Sequence, residues 1–203
     1  MAQTEKTYTR IPEAEEMIKQ LQERYPDELW AVKPENLMVM GIDNKERGKK
    51  NYKLAKILSV KGVEKAIFRE ANVNIQYIVE IYCSDWAEWT SKKKQLILFH
   101  EVLHESSKGI GCVKHDCEDF RMMLDVLGVD WANKPDSELP NLLTDDEKVQ
   151  FNLNLRPNML EYCEENDIKI EDLNAENKQD DEDAAEDANE VAEALDFEEE
   201  VDA

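Results

Sequence analysis

Hydrophobic residues in this chain come in short runs whose spacing changes several times before they give out near residue 170. Ile11, Met17, Ile18 and Leu21 form an apolar stripe among charges, which predicts a helix over Glu13 to Tyr25, opened by Pro12 and closed by Pro26. Leu29 to Val32 is a short apolar connector before Pro34. The continuous run L-M-V-M-G-I, Leu37 to Ile42, predicts a buried strand, and the turn-forming D-N-K-E-R-G follows it. Leu54, Ile57, Leu58, Val60 and Val63 fit a strand and a turn at Gly62, then a short helix from Glu64 to Glu70. Runs this short do not by themselves separate strand from helix. Val73, Ile75, Tyr77, Val79 and Ile81 alternate cleanly with other residues, so Val73 to Cys83 reads as a further strand.

The second half of the chain changes period. Thr90 or Ser91 caps a helix running through Lys92 to about Ser106, and Leu96, Leu98, Phe99, Val102 and Leu103 make it a core element. Gly109 and Gly111 mark a loop. Asp116 is placed to cap a second helix, with Asp119 three residues on, and Gly128 ends it after Leu127. The capping box T-D-D-E, Thr144 to Glu147, predicts a third helix, and Pro157 opens a fourth to about Glu165. The pattern is α+β: a small mixed sheet packed on the helix after Thr90, with further helices C-terminal. Three segments follow: 1–36, an N-terminal helical segment; 37–170, the main domain; and 171–203, a tail.

Charge sharpens that last boundary. Apolar residues make up 41% of the chain, enough for a core, yet the net charge is −22. From Glu171 onward 16 acids face the single Lys178, so the tail carries −15 of it. It holds too few bulky apolar residues to bury a core and is expected to be disordered. Such an acidic surface repels nucleic acid and anionic lipid. One stretch runs the other way: Lys45 to Arg69 sets nine basic residues against Glu46 and Glu64. A basic run is usually a solvated face, and it is the one place where nucleic acid would find a footing. No apolar run approaches the ~20 residues needed to cross a bilayer, so no membrane partner is expected. The polar N-terminus lacks the apolar segment of a signal peptide. We read the chain as cytoplasmic, with Cys83, Cys112, Cys117 and Cys163 as reduced thiols.

The candidate chemistry lies in Gln95 to Phe120, which holds all three histidines of the protein. His100, Glu101 and His104 form the pattern H-E-x-x-H. On a helix, residues four apart share a face, so His100 and His104 present two imidazoles to one point, with Glu101 beside them. A zinc ion at that point acidifies a bound water, and a carboxylate beside it takes the proton. The motif alone arises by chance in roughly one chain in a few hundred; here it sits on an apolar, capped helix after a strand. A catalytic zinc needs a third protein ligand and keeps one position open. His115 is the first choice for it. Asp116 is the second, though it suits a helix cap or an acceptor for a ligand's N–H better. Cys112 and Cys117 offer a different outcome, a closed structural site with no need of Glu101. Cys83 and Cys163 read as ordinary thiols, and Trp86, Trp89 and Trp131 as core or lid.

The runs Y-I-V-E-I-Y, W-x-x-W, L-I-L-F-H-E-V-L-H, K-H-D-C-E-D-F and V-D-W together resemble the putative phage metallopeptidases, zincin-like proteins of bacteriophage genomes. The likeness spans about Leu37 to Trp131, and a looser one links the chain to the SprT-like proteases, whose zinc-ribbon tail it lacks. The resemblance implies a zincin-like fold, Zn2+ as cofactor on His100, His104 and His115, Glu101 as catalytic base, and a host-cytoplasmic location. By analogy, Val73 to Cys83 would be an edge strand that pairs with an extended peptide. Arg121, Tyr82 and Tyr77 are candidates to steady the oxyanion.

Three functions compete. The first is a zinc-dependent peptidase acting on a protein or peptide. The second is a binding module whose acidic tail imitates nucleic acid and occupies a host protein, the zinc domain being a scaffold. The third is a zinc hydrolase acting on another bond, for which the Lys45 to Arg69 segment would matter.

Overall fold

Four strands, β1 (Thr7–Arg10), β2 (Leu37–Asp43), β3 (Ala55–Ser59) and β4 (Tyr77–Tyr82), form one mixed sheet in the order β1-β2-β4-β3. The computed structural model describes residues 6–43, 53–115, 117 and 119–157, all within the unit Met1–Asn158. The acidic tail, Cys163, Asp116 and the helix expected after Pro157 lie outside the described residues. β1 runs antiparallel to β2, β2 parallel to β4, and β3 antiparallel to β4. Alternation has its usual consequence in β4: Tyr77, Val79 and Ile81 are buried, while Ile78, Glu80 and Tyr82 on the opposite face are half-buried.

Five α-helices lie among the described residues: α1 (Pro12–Arg24), α2 (Gly62–Glu70), α3 (Cys83–Glu88), α4 (Ser91–Val102) and α5 (Arg121–Leu127). α1 packs on β2 and on α4, and α4 packs on β3. The stripe Ala14, Ile18 and Leu21 of α1 is buried, as the sequence spacing requires. From Gln95 onward α4 is buried almost all round, with Leu96, Leu98, Phe99 and Val102 fully buried. Each such side chain contributes ~1.5–3 kcal/mol, so this helix anchors the core. Phe99 stacks on Phe151 at 4.9 Å and meets Tyr25 edge-on at 5.6 Å. Buried Gln95 stays satisfied: its amide donates to Ser91 Oγ, and its carbonyl accepts from Leu143 N. Residues 6–36, set apart above as a helical segment, supply both a strand and a core helix to this unit.

Several expectations need correcting. β4 is not an edge, because β2 and β3 pair with it on either side; among the described residues the edges are β1 and β3. α4 ends at Val102 rather than near Ser106, and α5 begins at Arg121, five residues after the proposed cap. Thr144 to Glu147 forms a turn and bends, and no helix. There Asn141 Oδ1 accepts from Leu143 N and Thr144 N, and Asp145 Oδ2 accepts from Asn141 N, which closes a local turn in place of a helical one. Fully buried Leu142 and buried Phe151 hold the following chain against the core. β1 and α3 were not anticipated; β1 is exposed along its whole length and carries no burial pattern to read. No helix among the described residues is long and apolar enough to cross a membrane.

Candidate metal centre

The end of α4 and the loop after it build the site. Thr90 caps the helix by accepting from Lys93 N, and His100 and Glu101 ride its last turn. Leu103 keeps helical angles, and His104 N bonds Glu101 O at 3.1 Å, so His104 stays above His100 although the α-helix has ended. The chain then reverses. Gly109 (φ +63°) and Gly111 (φ +76°) take left-handed conformations, which lets Cys112 bridge back to Glu105. Val113 N bonds His104 O, and Val113 O accepts from His104 Nδ1 at 2.6 Å. A carbonyl can only accept, so the proton sits on Nδ1 and His104 Nε2 is left with a free lone pair. Two residues later, His115 Nε2 reaches within 3.2 Å of His100 Nε2.

The result is three imidazoles, each offering a ligand atom within 4.8 Å of the others. Phe120, fully buried, lies beneath all three, with ring centroids 5.3, 4.7 and 4.9 Å from those of His100, His104 and His115. It gives the rings an apolar floor that restricts their orientation. Three imidazole nitrogens converging on one point suit a transition metal with a position to spare. No cysteine joins that group among the described residues. Cys112 Sγ turns to Ile57 O and Cys117 Sγ to Asp119 O, although both residues line the cleft.

Behind His100 stands a residue that the sequence reading placed elsewhere. Asp119 Oδ1 lies 3.0 Å from His100 Nδ1, and its other oxygen accepts from Trp131 Nε1 at 2.8 Å. The distance to His100 is that of a hydrogen bond, but the ring N–H is not yet squarely aimed at the oxygen. Burial alone would raise the Asp119 pKa; contacts with His100, Trp131 and the Phe120 N–H outweigh it and bring it down to about 2. A carboxylate in this position fixes the tautomer of a ligand histidine. Its signal was the second aspartate of K-H-D-C-E-D-F, read above as part of a helix's first turn.

The electrostatics suit ligation and proton transfer. Burial pushes the His104 pKa down to about 4, which keeps its imidazole neutral. Burial pushes Glu101 up to about 7, opposed in part by His100, the Ile57 N–H and Lys53. The cleft over these groups has a volume of about 690 Å³ and is also lined by Lys53, Ala55, Ile57, Lys114 and Trp131.

β3 forms one wall, and its pairing shows which backbone groups face the site. Val60 N bonds Gln76 O, so the hydrogen-bonded pairs with β4 fall on Leu58 and Lys56. Ala55, Ile57 and Ser59 therefore turn their N–H and C=O groups away from β4. Ile57 and Ser59 are met by Glu101 and Cys112. Ala55 is the remaining position of that outward row. The proposed oxyanion residues do not reach the cleft. Tyr77 is buried with its hydroxyl on Ser106, and neither Arg121 nor Tyr82 lines it.

No curated protein and no solved structure matches this chain. A sequence model of one family does, over residues 6–138, well over half the chain and including every residue of the histidine cluster. The chain belongs to the putative phage metallopeptidase family.

Proposed function

We propose that this protein is a zinc-dependent metallopeptidase on a zincin-like scaffold, with His100, His104 and His115 as metal ligands and Glu101 as general base. The observation that carries the reading is the convergence of the three imidazoles beside a buried carboxylate, in a cleft open to substrate. Zinc suits a set of three nitrogen donors with an open fourth position. When bound, it supplies Lewis-acid polarisation of a carbonyl and makes water a far stronger acid. The residues of the chain do the rest. Glu101, with its pKa near 7, can take a proton from the attacking water and return it to the leaving amine. Asp119 and Val113 O hold the Nδ1 sides of His100 and His104, so that both present Nε2. The substrate lies extended along β3, pairing with the outward groups of Ala55; this takes over the docking role first assigned to Val73 to Cys83.

The test uses zinc-loaded full-length protein and a mixture of unstructured fluorogenic peptides. Glu101→Gln should keep its zinc and lose ~10²–10⁴-fold in kcat/KM. A Glu101→Gln protein as active as the parent would end the proposal.

A second reading is favoured by the position of Cys112 and Cys117 at the cleft. In it, a thiolate closes the zinc site and the protein acts by binding a host protein. It requires metal affinity to fall when either cysteine is replaced by serine.

A further inference from the structure

Three lysines line the cleft: Lys53, Lys56 and Lys114. Lys56 is committed, 2.6 Å from Glu80 across the β3–β4 pair. Lys53 and Lys114 are exposed and join no ion pair among the described residues. Among the described residues, the acids lining the cleft are Glu101, buried beside the imidazoles, and Asp119, engaged by His100 and Trp131. On a chain of net charge −22, the mouth of the site thus carries two positive charges that join no ion pair among the described residues. One comes from the segment leading into β3, next to Ala55. The other comes from the loop that carries His115.

That placement is selective. A cation beside a water-lined cleft attracts anionic groups and repels cationic ones, within about one Debye length. The rest of the lining, Leu54, Val113 and Trp131 with the outward backbone row at Ala55, suits an extended peptide better than stacked bases. We infer that the cleft selects acidic peptides: a segment lying along Ala55 with Asp or Glu side chains beside the scissile bond, held by Lys53 and Lys114. The peptide class rests on the peptidase reading; the charge preference rests on the lysines and is measured separately.

The measurement is binding of two labelled, unstructured peptides to zinc-loaded full-length Glu101→Gln protein. One peptide carries Asp and Glu; the other is identical but carries Asn and Gln. At low salt the acidic peptide should bind about tenfold more tightly, the sum of two exposed pairings. The ratio should fall below about twofold in Lys53→Gln/Lys114→Gln and in roughly 0.5 M salt, and persist in Lys53→Arg/Lys114→Arg. Equal affinities in the protein with both lysines, or a preference that survives their loss, would overturn the inference. So would a single-stranded oligonucleotide of equal charge that binds more tightly and depends on the same lysines. A preference for the acidic peptide without cleavage of it by the parent protein upholds this inference and counts against the peptidase reading.

Discussion

Asp119 shows how a single side chain can be easy to see in a sequence and hard to place. The histidines were legible because there are only three, and H-E-x-x-H puts two on one helical face whatever the surrounding fold. Asp119 stands at a spacing that equally suits the first turn of a helix. Its contacts with His100 and Trp131 are tertiary and leave no local trace. If it holds His100 as argued, Asp119→Asn should lower zinc affinity about 10–100-fold in a chelator competition while the fold is retained. Unchanged affinity would reduce Asp119 to a structural acid. The oxyanion candidates failed for the mirror-image reason. Tyr77 looked chemically apt, but the alternation that made β4 legible also turns its ring into the core.

Among the elements, pleat and face were readable and position in the sheet was not. Alternation in β4 reports that one side is buried; which strands flank it depends on pairing between distant segments, so an interior strand was taken for an edge. The capping box at Thr144 failed because side-chain bonds around Asn141 offered the backbone a competing turn. Two glycines separate scaffold from site. At Gly41 a Cβ would lie 2.7 Å from Cys83 Sγ and 3.1 Å from Ile11 Cδ1. Gly41→Ala should therefore cost ~1–3 kcal/mol in urea unfolding and leave zinc affinity nearly unchanged. Gly109 has φ +63°, and a Cβ there would lie 2.2 Å from Gln76 Oε1. Because the turn at Gly109 returns the chain towards His115, Gly109→Ala should cost about 1 kcal/mol and also weaken zinc binding. Equal effects of the two substitutions on zinc affinity would contradict this division.

The whole molecule is organised by charge as much as by packing. Residues 171–203 hold −15 of the −22, while Lys53 and Lys114 line the cleft. An acidic segment tethered to a cleft of opposite charge acts as a competitor at high effective concentration wherever its length lets it reach. Removing residues 171–203 should raise kcat/KM for the acidic peptide severalfold at low salt and change little at roughly 0.5 M salt. An unchanged rate at low salt would show that the tail does not compete. Composition made the charge imbalance plain from the start. Only the fold brings β3 and the His115 loop to one cleft, with Lys56 paired to Glu80 and Lys53 and Lys114 in no ion pair among the described residues. An open zinc site held by three histidines has a direct signature in X-ray absorption at the zinc edge of the loaded full-length protein. Three imidazole nitrogens and one further oxygen at about 2.0–2.1 Å are expected; a sulfur at about 2.3 Å would rule the open site out.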